Sequence, residues 1–151
     1  MTAKRIASAL AAVSLLWAIP VQAQAGSDAE ELRRLDIMLM VTGLRCRTTA
    51  DDFQADYGRF TTAHYPELQA AALEMKADLA KQYGAAGANR ALDKMSVQMA
   101  NEYGQGHPWL NCAQLKQVTR GLATSVGSTA LAHASKTLLQ AHGSVELAMG
   151  G

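Results

Sequence analysis

Apolar positions along this chain follow two different patterns. From Ile6 to Ile19 they are nearly continuous and uncharged, whereas after Ser27 they recur at steps of three and four among polar residues. The second pattern is that of amphipathic helices, and no alternating run of β-branched residues interrupts it. A first helix is expected from Ser27, whose hydroxyl and Glu30 have the spacing of a capping box. Leu32, Leu35, Met38 and Leu39 form its stripe, and Ile37, Met40, Val41 and Leu44 widen it until it nearly encircles the helix. A helix apolar on so many sides belongs at the centre of a core. Gly43 is expected to weaken its last turns, and Cys46 stands at its end.

A second helix is expected from Thr49 or Ala50 to about His64, with Asp51, Asp52 and Asp56 as a solvated start and Phe53, Tyr57, Phe60 and His64 on one face. Pro66 resists continuation of that helix and suits the first turn of the next. Leu68, Ala72, Met75, Leu79 and Tyr83 line the third helix, with Gly84 as its C-terminal cap. A linker, Ala85 to Ala88, then leads to Asn89 as N-cap of a fourth helix carrying Leu92, Met95, Met99 and Tyr103. Asn111 is placed to cap a fifth, with Cys112, Leu115, Val118 or Thr119, and Leu122 on its face. Residues 129–141 give a weaker sixth pattern through Leu131, Leu138 and Leu139, and the tail after Gly143 is expected to fray. The expected fold is therefore all-α, a compact bundle of five or six helices.

The leading segment changes where this bundle is expected to reside. Lys4 and Arg5, the run from Ile6 to Ile19, Pro20 and the small pair Ala23 and Ala25 have the layout of a cleavable secretory signal. Cleavage after Ala25, or alternatively after Ala23, divides the chain into a signal over 1–25, a helical domain over 26–125 and a weakly helical or frayed tail over 126–151. The run is shorter than the roughly 20 apolar residues a membrane span needs. The mature chain then carries twelve basic and thirteen acidic residues, a net charge of −1. That balance supplies no broad basic footprint for nucleic acid and no basic patch for an anionic membrane.

In an exported single domain, the two cysteines, Cys46 and Cys112, most simply pair with each other. The chain has no Cys-x-x-Cys, and no two of its histidines, at 64, 107, 133 and 142, lie three or four residues apart. Metal ligation by a helical pair therefore has no basis, and no metal, cofactor or catalytic residue is assigned. Met38, Met40, Met75, Met95 and Met99 fall at core-facing positions and read as gap-fillers. Glu102 is the one carboxylate suggestive of a hydrolytic acid, which would need a second acid across a cleft.

The loop from Gly104 to Asn111, Gly-Gln-Gly-His-Pro-Trp-Leu-Asn, has the most unusual composition. It offers Trp109 as an aromatic anchor with Gln105 and His107 as polar contacts. On the alternative reading, favoured by sequence alone, Trp109 plugs the bundle beside the disulfide.

Four segments taken together carry a resemblance. They are Leu35 to Cys46, ending Val41-Thr42-Gly43-Leu44-Arg45-Cys46; Asp52 to Tyr57; Gly87 to Asn101, with Ala91-Leu92-Asp93-Lys94-Met95-Ser96-Val97; and Gly104 to Cys112. The chain resembles, over roughly residues 32–123, a group of small exported bacterial proteins, mostly uncharacterised and some labelled surface-layer proteins. The resemblance implies an exported all-helical domain with the same two cysteines and no assigned catalytic residues. The expected function is a structural or binding role in the periplasm or at the cell surface, with an envelope protein or a small ligand as partner. A cell-envelope enzyme such as a peptidoglycan hydrolase, and a small-molecule or haem carrier, are the alternatives.

Overall fold

A computed structural model describes the backbone of residues 21–148 and the side chains of residues 28–139; the apolar run from Ile6 to Ile19, expected to belong to a secretory signal, lies outside the described residues. Among the described residues five helices follow one another: α1 (Val21–Cys46), α2 (Gln54–Ala63), α3 (Tyr65–Glu102), α4 (Cys112–Thr124) and α5 (Ser128–Ala148). The protein is an all-α bundle with one disulfide between Cys46 and Cys112.

α1 is the hub and packs against every other helix, although Met40 and Leu44, which were expected to widen its buried face, are exposed. Its Leu35, Met38 and Leu39 are buried with Phe53, Phe60, Leu115, Leu122 and Leu131 in the main core. On another side, Ala29 and Ile37 meet Ala71, Met75 and Met99 of α3. Two buried threonines fit this interior because each returns its hydroxyl to its own helix. Thr42 donates to the Met38 carbonyl and Thr119 to the Leu115 carbonyl, both at 2.7 Å.

Several boundaries differ from expectation. α1 is already under way at Val21, so Ser27 lies within it rather than capping it; the Gln-Ala-Gln-Ala stretch before it consists of good helix formers. α2 begins at Gln54 instead of Thr49 or Ala50. Before it, the Thr49 hydroxyl donates to the Cys46 carbonyl at 2.8 Å, and the Asp52 carboxylate accepts from the Gln54 amide at 3.0 Å. Such short polar side chains offer the backbone an alternative to the helix. Asp56 does not belong to a solvated start: it is 3% exposed and ion-paired to Arg59 and, at 3.2 Å, to Arg120 of α4. In α3, Ala71 takes the buried position expected for Ala72, and Tyr83 is exposed. α5 runs on to Ala148, past the Gly143 at which fraying was expected.

The expected third and fourth helices are two arms of α3, hinged at one residue. Gly84 has φ 69° and ψ 167°, a region essentially confined to glycine, and helical structure resumes without a linker or an N-cap at Asn89. Alanine favours the helix, so Ala85 and Ala86 continue it at once. The arms come so close at the hinge that a Cβ on Gly87 would stand 2.9 Å from the Tyr83 Cβ. Met75 of the first arm and Met99 of the second consequently share one cluster on α1. Gly84→Ala is expected to cost about 1–3 kcal/mol, measured by urea denaturation; an unchanged midpoint would mean that the hinge tolerates another conformation.

One polar network joins α1 to α2. Tyr57 donates to the Asp36 carboxylate at 2.8 Å, and Arg33 stands 3.6 Å away on the other side. Burial raises the Asp36 pKa above the ordinary 3.8, against the opposing pull of the Tyr57 hydrogen bond and the Arg33 charge. The fold thus binds this proton more readily than the unfolded chain does. The stabilisation from this group grows as pH falls through the raised value and is complete below the ordinary one. Asp36→Asn keeps an acceptor for Tyr57 and removes the buried charge. It should be at least as stable as the parent at pH 7, with its advantage shrinking toward pH 3.8. Urea midpoints at both ends of that range test this, and a clear loss at pH 7 would contradict it.

Candidate functional site

The loop between α3 and α4 is built from both of its ends. At its far end the Asn111 side chain accepts from the Gln114 amide at 2.9 Å, and the Gln114 side chain accepts from the Asn111 amide at 3.0 Å. This is a full capping box, as the position of Asn111 implied, with Gln114 its unforeseen second half. The next residue, Cys112, is bonded to Cys46 at the end of α1, with 5.7 Å between their Cα atoms. At the near end the Gly106 amide donates to the Tyr103 carbonyl at 2.9 Å. Arg45, one residue before Cys46, donates to the Gly104 carbonyl at 2.7 Å. Gly106 has φ 106°, which favours glycine, and a Cβ there would meet the Arg45 Nε at 3.6 Å.

His107 occupies the interior of this frame. It is 9% exposed, and its Nδ1 accepts from the backbone amides of Leu110 at 3.2 Å and Trp109 at 3.4 Å. A nitrogen that accepts carries no proton, so the neutral ring holds its proton on Nε2. The imidazole lies near-parallel to the buried Tyr103 ring at 6.2 Å and meets the Trp109 indole edge-on at 4.3 Å. Burial, with the charge of Glu102 nearby, pushes the Tyr103 phenol above its ordinary pKa, against Arg34, and keeps it protonated.

Trp109 is not the plug that sequence alone favoured. It is 38% exposed, Gln105 and Pro108 beside it are exposed, and the buried place belongs to His107. The reason is local: the imidazole satisfies two loop amides that an indole, which only donates, cannot. Of the three residues singled out, His107 and Trp109 are in ring contact, and Gln105 lies on the outer side of the same loop. Of the residues that frame the site, Tyr103 was expected on the apolar stripe of the fourth helix and is buried, whereas Arg45 carried no signal in the sequence beyond its nearness to Cys46.

The other residues considered are tied into the fold. Glu102 engages the Arg34 guanidinium, which also reaches Glu30 at 3.2 Å. Burial opposes the charge on Arg34, but these two carboxylates outweigh it and raise its pKa further. His64 is 1% exposed, and its Nε2 donates to the Leu122 carbonyl at 2.7 Å, which joins α2 to the end of α4. Among the described residues, no three His, Cys, Asp or Glu side chains are grouped to hold a metal ion, and no helix is long and apolar enough to cross a membrane. Comparison with protein-family models, with curated proteins and with solved structures finds no match for this chain.

Proposed function

We propose that this chain is an exported, disulfide-braced helical protein of the periplasm or cell surface that acts by binding an envelope protein, with Trp109 as its anchor. The observation that carries the reading is the contrast within the 104–111 loop. Its backbone is held by the capping box, the Arg45 contact, the His107 acceptor and the neighbouring disulfide, yet Trp109 remains 38% exposed. A large ring presented on a fixed backbone binds with little ordering cost, and tryptophan is enriched among residues that dominate interface energies. The secretory layout of the first 25 residues and the oxidised cysteine pair both favour the exported setting. The resemblance to small exported bacterial proteins points the same way.

The test has two parts. Mass analysis of protein recovered from the envelope fraction should show a chain beginning at Gly26 or Gln24; an intact Met1 on cytosolic material would remove the setting. A photo-crosslinking residue in place of the exposed Gln105 should then trap a discrete envelope partner. Trp109→Ala should reduce that product at least tenfold while leaving the unfolding free energy, from urea denaturation, within about 1 kcal/mol of the parent. Undiminished crosslinking in the variant would remove the anchor.

A further inference from the structure

Away from the loop, α1, α3 and α5 enclose a groove of about 530 Å³. α5 packs mainly on α1, so α3 and α5 face each other across this space. Asp28 and Glu31 line it from α1, and Glu67 and Glu74 from α3. Each pair shares one helix face, because residues three or seven apart return to the same side. Its floor is apolar, with Leu32, Ala71 and Leu131. Among the described residues, no lysine, arginine or histidine lines it.

A second observation comes from the α5 wall. Ser135 lines the groove and is 1% exposed, yet its hydroxyl has no hydrogen-bond partner. One carboxylate oxygen of Glu67 is likewise buried without a partner. Leaving such atoms unmatched is costly, and an acceptor hydroxyl and a carboxylate oxygen are both completed by a ligand that donates.

We propose that this groove is a binding site for an aliphatic polyamine, a flexible cation with ammonium groups spaced along an alkyl chain. The carboxylates are not grouped to share a metal ion. They are spread along two helices, with Glu67 and Glu74 about 10 Å apart along the α3 axis, a span comparable to an extended spermidine. Ammonium groups would meet the carboxylates of α1 and α3, one of them donating to Glu67 and Ser135. The methylene segments would cover Leu32, Ala71 and Leu131. The volume falls within the range of small-molecule sites. Bound there, the ligand would bridge α3 and α5. This reading concerns a surface separate from Trp109 and stands or falls independently of the loop.

Spermidine titrated into the oxidised, exported protein by calorimetry tests the site. Saturable one-to-one binding is expected, weakening as salt is raised. Glu67→Gln with Glu74→Gln should weaken it at least tenfold, whereas Asp51→Asn with Asp93→Asn, the same charge change outside the groove, should leave it within twofold. Ala132→Arg, on an exposed lining position of α5, should abolish binding by placing a guanidinium in the groove, and does so without touching the acids. Hydrogen exchange along residues 128–139 should slow when spermidine binds. No saturable heat, equal loss in the two double variants, or unchanged binding in Ala132→Arg would each overturn the proposal.

Discussion

Replacing Cys46 and Cys112 together by serine is expected to lower stability by about 4 kcal/mol, the loop-entropy contribution of a bridge with a 66-residue separation. For a domain of this size that corresponds to a fall in Tm on the order of 15 °C. The loss is a large fraction of the 5–15 kcal/mol typical of whole domains. It should also be felt locally, because the bond joins the last residue of α1 to the first of α4, beside the Arg45 contact and the Asn111 cap. Urea denaturation of parent and variant measures the first effect, and hydrogen exchange over residues 104–111 the second. A variant within about 1 kcal/mol of the parent, with an equally protected loop, would show that packing alone holds this corner.

Phe53→Ala is expected to cost about 3–5 kcal/mol. The side chain is fully buried in the main core although it precedes α2 rather than lying within it. Its ring rests on Gly43 of α1: a Cβ there would stand 3.3 Å from the Phe53 Cε2, closer than ordinary contact. Gly43, expected only to weaken α1, instead provides the flat surface that admits the ring, and the close packing is what makes both positions sensitive. A double-mutant cycle tests the pairing. Gly43→Ala should be harmful in the parent, through overpacking, and less so in Phe53→Leu, where the neighbouring side chain can shift. Independent, additive effects would separate the two residues, and a loss below about 1 kcal/mol for Phe53→Ala would remove the ring from the core.

These two cases mark what was legible in the chain. That Phe53, Tyr57, Phe60 and His64 share a face followed from their spacing, and Phe53, Phe60 and His64 are buried. That Phe53 needs a glycine opposite did not, because the contact joins positions in different elements. Asp56 shows the same limit. Beside Asp51 and Asp52 it reads as one more acid at a helix start, and only the arrival of Arg120 from α4 makes it a buried ionic link. Glu102 stands out in the sequence as a candidate hydrolytic acid, but its partner Arg34 lies on α1 and has no local mark. At the loop the composition pointed to His107 and Trp109, and the geometry of donors and acceptors decided which turned inward.

By itself, the sequence determined the helical class, the break at Gly84, the cap at Asn111 and the sidedness of most helices. Each of these depends on backbone conformation or on a periodicity of a few residues, which neighbours along the chain set directly. Tertiary structure decided that the two arms of α3 share one cluster on α1, that Gly43 meets Phe53, and that Trp109 stays partly exposed while His107 is buried. It also decided that acids from α1 and α3 border one groove with Ser135 of α5. Those outcomes depend on which helix faces approach one another, and the free energy of that choice resides in contacts between residues far apart in the chain.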